Sequence, residues 1–190
     1  GVRCINVIGL CHFLMHFKQK FRYCPACGSL FSDHNFKSKT CRACGFTFYH
    51  NPSAAVATFV LNTEGELLVC RRAKEPAKGT LDLPGGFVDY DETAEQAVCR
   101  EVAEETGLEL SSVDYLFSLP NHYLYSDLDV PTLDLFFQTA VSSDFSLQAA
   151  DDVAECFFVP IHQLDASLFG LDSIRRAVSF FQEYMRGNMR

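Results

Sequence analysis

Apolar positions along the chain alternate in some stretches and recur every third or fourth residue in others, and the switches outline its elements. Residues 54–61 (AAVATFVL) form an apolar run of strand length. Asn62-Thr63-Glu64-Gly65 supply turn residues, and 66–72 (ELLVCRR) read as the returning strand of a hairpin. Residues 80–89 (TLDLPGGFVD) read as a strand interrupted by a Gly-Gly turn. Over 92–106 the period lengthens: Ala94, Val98 and Val102 share one helical face, and Gly107 stops the helix. Three more strands are predicted at 113–119, 131–142 and 153–159, and Pro160 begins a turn. Residues 172–186 form an amphipathic final helix with Ile174, Val178, Phe181 and Met185 on one face. The order of strands and helices predicts an α/β domain with a mixed sheet between helices.

Composition adds a second module to this picture. With 190 residues, 48% of them hydrophobic, the chain has room for one main core and a small satellite domain. Residues 21–50 carry no long helical pattern but are rich in cysteine and aromatic residues. The net charge of −8 argues against a nucleic-acid-binding module, which is usually basic. It leaves room for phosphate chemistry wherever metal cations neutralise the site. Residues 1–20 read as an amino-terminal extension. Its apolar run Ile5–Phe17 is too short to span a bilayer, and Lys18, Gln19 and Lys20 follow it where a small-residue cleavage site would stand. The preferred reading is an over-extended amino terminus with the domain proper starting after Met15; a cleaved signal is the alternative.

The predicted central helix is where the charge pattern becomes chemical. Glu101, Glu104 and Glu105 stand at i, i+3 and i+4 and share one face, opposite the apolar stripe. Three like charges on one turn repel each other, and a hard divalent cation such as Mg²⁺ would offset that repulsion. Arg100 is placed to bridge an acidic neighbour. Gly86 would let the backbone approach a metal closely. Taken alone, an E-x-x-E-E stretch is usually a solvated face.

The longer spacing changes that. Gly86, Glu92, Arg100, Glu101, Glu104, Glu105 and Gly107, with Val102 and Leu108 as the aliphatic positions, match the pattern G-x5-E-x7-R-E-U-x-E-E-x-G-U, U being a bulky aliphatic residue. The chain therefore resembles a Nudix hydrolase over about residues 52–188. The resemblance implies an α/β/α sandwich with a mixed sheet, and Glu101, Glu104 and Glu105 as ligands of Mg²⁺ or Mn²⁺. It also implies a pyrophosphohydrolase that uses a metal-activated water to cleave the pyrophosphate of a nucleoside diphosphate linked to another moiety. Glu104 or Glu105 would serve as general base. Glu155, just before the end of the last strand, is a further candidate for base and metal ligand, and reads equally well as an exposed edge-strand residue. Arg71, with Arg72 and Lys74, follows the second strand and is a candidate phosphate contact; a solvated strand-end cluster is the alternative.

Nine cysteines, an odd number, argue against a complete disulfide framework and for a reducing, cytoplasmic setting. Four of them form two C-x-x-C pairs, Cys24/Cys27 and Cys41/Cys44, each followed by glycine. Two such turns make a closed Zn–S₄ site whose role is structural. A ribbon over 21–50 is too small to fold on its own core, so Zn²⁺ would supply its stability. A zinc ribbon before a Nudix domain resembles the NADH pyrophosphatase branch, which implies a homodimer. That branch carries S-Q-P-W-P-F-P-x-S after the box. Here Ser118, Pro120 and Ser126 match it, Tyr123 replaces the Phe, and the Gln, the Trp and two Pro are absent. Tyr123 and Tyr125 are candidates to stack on a base, against the simpler reading as strand-core aromatics. The expected substrate is a small nucleotide, NAD(H) or ADP-ribose. A catalytically idle nucleotide sensor and an RNA-end processing hydrolase are the alternatives; neither nucleic acid nor membrane is an expected partner.

Overall fold

A computed structural model describes residues 16–142 and 147–188. The expectations for the apolar run 5–17 and for a start at Met15 lie almost wholly outside the described residues. The described chain forms two compact units. One takes the residues up to Asn51 together with the segment His122–Val130; the other takes Pro52–Asn121 and the residues from Pro131 onward.

In the first unit, a helical turn α1 (Phe17–Lys20) precedes a three-stranded antiparallel ribbon of β1 (Phe31–Asn35), β2 (Ser38–Cys41) and β3 (Thr47–Tyr49). Phe17 is fully buried and gathers the rings of Phe21, Phe48 and His50 around it. The buried Lys39 ammonium donates to the carbonyls of Lys18 and Phe21, both at 2.8 Å, which satisfies a charge that would otherwise be costly inside. Phe17, ahead of Cys24 in the chain, therefore packs as core.

The second unit is built on β4 (Ser53–Leu61), β5 (Glu66–Arg72), the short β6 (Leu81–Asp82) and β7 (Gly85–Phe87), the helix α2 (Ala94–Thr106), the strands β8 (Asp114–Tyr125), β9 (Leu128–Ala140) and β10 (Val153–Pro160), and the helix α3 (Asp172–Asn188). The sheet runs β10-β5-β4-β9-β8. β4 and β9 are parallel, with Ser53 opposite Thr132 through to Leu61 opposite Ala140, whereas β10–β5, β4–β5, β4–β7 and β5–β6 are antiparallel. The sheet is therefore mixed, as the order of elements predicted. One face packs Ala57, Phe59, Leu67, Val69 and Phe136 against α3; the other packs Val56, Val60, Leu68 and Phe137 against α2. Alternation along each strand sends successive side chains to opposite layers, giving the expected α/β/α sandwich.

Two features depart from the simplest reading. β4 and β5 pair only at Leu61 and Leu67 and then separate. β6 pairs with β5 and β7 with β4 in the gap, so the stretch read as one interrupted strand serves two partners. Strands β8 and β9 are also longer than the apolar pattern suggested, because they continue as a hairpin through Ser126 and Asp127, both at positive φ. No helix among the described residues is long and apolar enough to cross a membrane.

Candidate active site

The carboxylate site is assembled by β7 and α2. β7 lies against β4 with Gly85 opposite Ala57 and Gly86 opposite Val56. A Cβ on Gly85 would stand 2.1 Å from the Val56 carbonyl oxygen, so only glycine fits there. A Cβ on Gly86 would stand 2.5 Å from Glu101 Oε1; the Glu101 carboxylate fills the space that the missing side chain leaves. The helix begins at Ala94 under a capping box in which Thr93 Oγ1 accepts from the Gln96 N–H and the Thr93 N–H donates to Gln96 Oε1. At its other end the Ala150 and Gln148 N–H groups donate to the carbonyls of Glu105 and Thr106, satisfying two groups that a helix terminus leaves open.

Arg100 organises the acidic residues. Its guanidinium donates to Glu92 (Nη2–Oε1 2.6 Å, Nε–Oε2 3.1 Å), to Glu101 Oε1 at 2.8 Å, to Glu104 Oε2 at 3.2 Å and to the Phe87 carbonyl at 3.0 Å. One planar cation thus ties the loop after β7 to three carboxylates. Glu92 is held below the usual carboxylate range by the Arg100 hydrogen bonds and by the Asp89 N–H. Glu101 is pushed up by burial, against the pull of Arg100 and with repulsion from Glu104 and Asp151. Glu105 is buried and accepts a hydrogen bond from the Gly85 N–H at 3.0 Å. Burial nonetheless pushes it up to about 9, with Asp82, Glu101 and Asp151 adding to the rise.

Glu101, Glu104, Glu105, Arg100 and Gly86 are therefore brought together. Glu155 and Arg71 are brought to each other. They face across β10 and β5, with Arg71 Nε 2.6 Å from Glu155 Oε1, and Arg71 also donates to the Gly79 carbonyl at 3.0 Å. Tyr123 and Tyr125 lie in the hairpin segment of the first unit; Tyr123 is half-buried and Tyr125 is 64% exposed, so Tyr125 is no core residue. Two residues with a part in the electrostatics were given no role by the sequence reading, Asp151 and the buried Asp82. Asp82 is paired with Arg72 at 2.5 Å. Their only trace in the sequence is adjacency to the strands, which does not distinguish them from ordinary strand-end residues. Two cavities of about 410 and 450 Å³ are lined by other residues, the first at the β4–β5 turn and α3, the second after α2; neither includes the carboxylates.

The cysteines converge separately. Both knuckles close in the same way, with the Gly28 N–H donating to the Cys24 carbonyl and the Gly45 N–H to the Cys41 carbonyl, each at 2.8 Å. The Sγ atoms of Cys24 and Cys44 are 3.7 Å apart, those of Cys27 and Cys41 3.6 Å, and all four lie within 4.8 Å of one another. A tetrahedron of thiolates at normal Zn–S length has edges of about 3.8 Å, so the four fit one zinc ion. Hydrogen bonds from Ser29 lower Cys27 to about 6, whereas Cys44, despite the Phe46 N–H, is pushed up to about 12 by the neighbouring Cys27 and by burial. Among the described residues no other three metal-ligating side chains converge this tightly. The carboxylates of α2 are spread instead over Arg100 and Gly85. A cation that keeps part of its water shell would accept such a spread set of oxygen donors.

A NUDIX domain model matches residues 51–179, most of the chain. The chain belongs to the Nudix family. Among curated relatives, an ADP-ribose pyrophosphatase of Methanocaldococcus jannaschii is 32% identical over 143 residues, covering 74% of this chain and 78% of that protein. An NAD-capped RNA hydrolase NudC of Deinococcus radiodurans is 35% identical over 121 residues, covering 60% of this chain and 42% of its own length. The chain thus spans about two-fifths of that NudC relative. A Nudix hydrolase structure from Nitrosomonas europaea superimposes with a TM-score of 0.67 at 20% identity, covering 85% of this chain and 90% of the other. The Nudix domain of Shewanella oneidensis NrtR, solved with ADP-ribose, gives a TM-score of 0.57 at 20% identity over 73% and 90% of the two chains. These last two likenesses establish the fold.

Proposed function

We propose that this Nudix protein is a Mg²⁺- or Mn²⁺-dependent pyrophosphohydrolase that cleaves a nucleoside diphosphate linked to another moiety, with ADP-ribose and NAD(H) as the expected substrates. The observation that carries the reading is the Arg100-centred cluster. Glu92, Glu101 and Glu104 are held by one guanidinium, while the Gly85 N–H orients Glu105. A protein that only binds nucleotide has no need of three oriented carboxylates.

Glu101, Glu104 and Glu105 would hold the metal, with the Gly86 backbone beside them. When bound, the cation withdraws charge from the phosphates and makes a bound water nucleophilic near neutral pH. Arg100 fixes the direction of Glu101 and Glu104, so little reorganisation is left for the reaction. Glu105 is enclosed and suited to ligation. The Glu104 side chain is 49% exposed and open to a water, and is our choice of general base. Arg71 and Glu155 neutralise each other, which leaves them a smaller part.

A second reading is that the dinucleotide is the cap of an RNA, favoured by relatives named as NAD-capped RNA hydrolases. We also propose a zinc ribbon over 21–50, a hydrolase domain over 52–188, a homodimer and a cytoplasmic setting. The free thiols of all seven described cysteines accord with that setting. The test is product analysis across ADP-ribose, NADH, NAD⁺, dinucleoside polyphosphates and nucleotide sugars, with Mg²⁺ and with Mn²⁺. A nucleoside monophosphate should be released from the first three. Activity confined to nucleoside triphosphates would sink the dinucleotide reading.

A further inference from the structure

The charge of −8 is unevenly placed. Residues 16–51 hold six basic side chains, Lys18, Lys20, Arg22, Lys37, Lys39 and Arg42, against one carboxylate, Asp33. From residue 52 onward there are nine basic residues against 23 carboxylates. The hairpin segment of the first unit adds Asp127 and Asp129, and Asp129 is paired with His122. Net charge therefore disfavours polyanion binding by the hydrolase domain but not by the ribbon.

Lys18 and Lys39 are engaged by Asp33, and Lys20 meets the Ser126 carbonyl. Arg22, Lys37 and Arg42 have no carboxylate partner among the described residues. Arg22 and Lys37 each adjoin an exposed ring in the chain, and Arg42 belongs to the same knuckle as one. At the knuckle end, Arg22 lies 6.0 Å from the centroid of the Tyr23 ring, and Tyr23 is 60% exposed. The segment carrying both pairs back onto Leu30 and Phe31, and Phe31 stacks on the partly exposed Phe46 of the knuckle that holds Arg42. At the turn end, Phe36 is 79% exposed next to Lys37, and Tyr49 projects from β3 opposite Ser38. The unit's own core is made by Phe17, Phe21, Phe48 and His50, so the exposed rings are not needed for folding. β2 links the two nests over four residues, about 13 Å.

We propose that the ribbon is a binding surface for single-stranded nucleic acid. Unpaired bases stack on Tyr23 and Phe36, and the flanking cations meet the phosphates. A second copy's acidic domain would satisfy the charges but leave the rings without a role. The proposal stands apart from the hydrolase reading, because binding needs no pyrophosphate.

The experiment is fluorescence anisotropy of a short, uncapped single-stranded RNA against the zinc-loaded full chain, from about 50 to about 200 mM salt. With Lys20, Arg22, Lys37 and Arg42 at phosphates, log K should fall with log salt at a slope of about −3. Tyr23→Ala and Phe36→Ala should each weaken binding about 5-fold or more. Arg22→Gln with Arg42→Gln should flatten the slope, with zinc content unchanged. Turnover of ADP-ribose, measured on the same variants, reads the hydrolase separately: normal turnover without RNA binding overturns only this proposal, and RNA binding without turnover overturns only the other. No binding at low salt overturns it, as does binding that the four substitutions leave unchanged. Equal affinity for duplex RNA overturns the stacking role. Sedimentation showing that the substitutions split a dimer while RNA binding persists would assign the surface to a second copy.

Discussion

At the scale of the residue, Glu105 combines the two properties that matter for the site: it is enclosed, and it is an acid among acids. In the unfolded chain it titrates near 4.5; in the fold burial pushes it up to about 9. A carboxyl whose folded value is raised favours folding while protonated. Its contribution is fully present below about pH 4.5 and is lost as the pH rises toward about 9. Glu105→Gln mimics the neutral form and keeps an oxygen for the Gly85 N–H. In magnesium-free buffer near pH 8 the variant should melt above the parent, and the gap should close as the pH falls toward 4.5. A gap that does not change with pH would show that the carboxyl is not held in its neutral form. With Mg²⁺, Glu104→Gln and Glu105→Gln should each abolish hydrolysis while the circular dichroism spectrum stays that of the parent; near-normal turnover in both would remove them from the mechanism. Gly86→Ala tests the neighbouring contact, because its Cβ would stand 2.5 Å from Glu101 Oε1. Displacing that carboxylate should lower kcat/KM by at least about tenfold, roughly the rate equivalent of 1.4 kcal/mol. Unchanged kcat/KM would show that Glu101 has room to move without loss.

At the scale of the element, the helices and the strands β4 and β5 were legible because burial and periodicity agree in them. The stripe Ile174, Val178, Phe181 and Met185 does face the core, joined by Ala177. The Phe59 ring of β4 stacks on Phe181 of α3 at 4.0 Å, both buried. Phe59→Ala should therefore cost about 3–5 kcal/mol in urea unfolding, and a loss under 1 kcal/mol would mean the layer repacks around the gap. The β8–β9 hairpin was not legible. Its turn is Ser126-Asp127, lacking the Asn-Gly or Asp-Gly signature, and Pro120 and Pro131 interrupt the apolar pattern on either side. Nor was the division of 81–87 between β5 and β4, since a two-residue strand has no period to read. The helix start shifted from Glu92 to Ala94 because Glu92 is taken by Arg100, which leaves Thr93 to cap. The acidic face of α2 could be read from spacing alone, whereas Asp151 reaches it through a loop that no local pattern marks. The ribbon was readable from its cysteines. Freshly purified, reduced protein should carry about one zinc per chain, and Cys41→Ser should release it and expose residues of the ribbon to protease. Zinc-free protein with a protected ribbon would refute the metal's structural role.

At the scale of the whole molecule, a nucleotide specificity has to come from surfaces beyond the Arg100 cluster, because in the proposed function that cluster would meet only the cation and the phosphates. The segment 118–126 is where the NADH pyrophosphatase branch carries its additional motif, and there this chain keeps Ser118, Pro120 and Ser126 but lacks the Trp. An indole is a large stacking surface, and base–aromatic stacking is worth about 1–3 kcal/mol. Its loss corresponds to roughly 5- to 150-fold in discrimination where nothing replaces it. Tyr125 is exposed, and we propose its ring for that role. The expected outcome is a broad preference, with kcat/KM for ADP-ribose, NADH and NAD⁺ within about a hundredfold of one another. Tyr125→Ala should lower the dinucleotides more than ADP-ribose, because ADP-ribose has one base to stack and a dinucleotide has two. The same substitution leaves Arg100 and its three carboxylates untouched, so any loss in kcat/KM should enter through KM. A strong, exclusive preference for NADH would show that the departures at 119, 121, 122 and 124 are immaterial to recognition. Equal loss on all three substrates would instead place Tyr125 at the shared adenosine half.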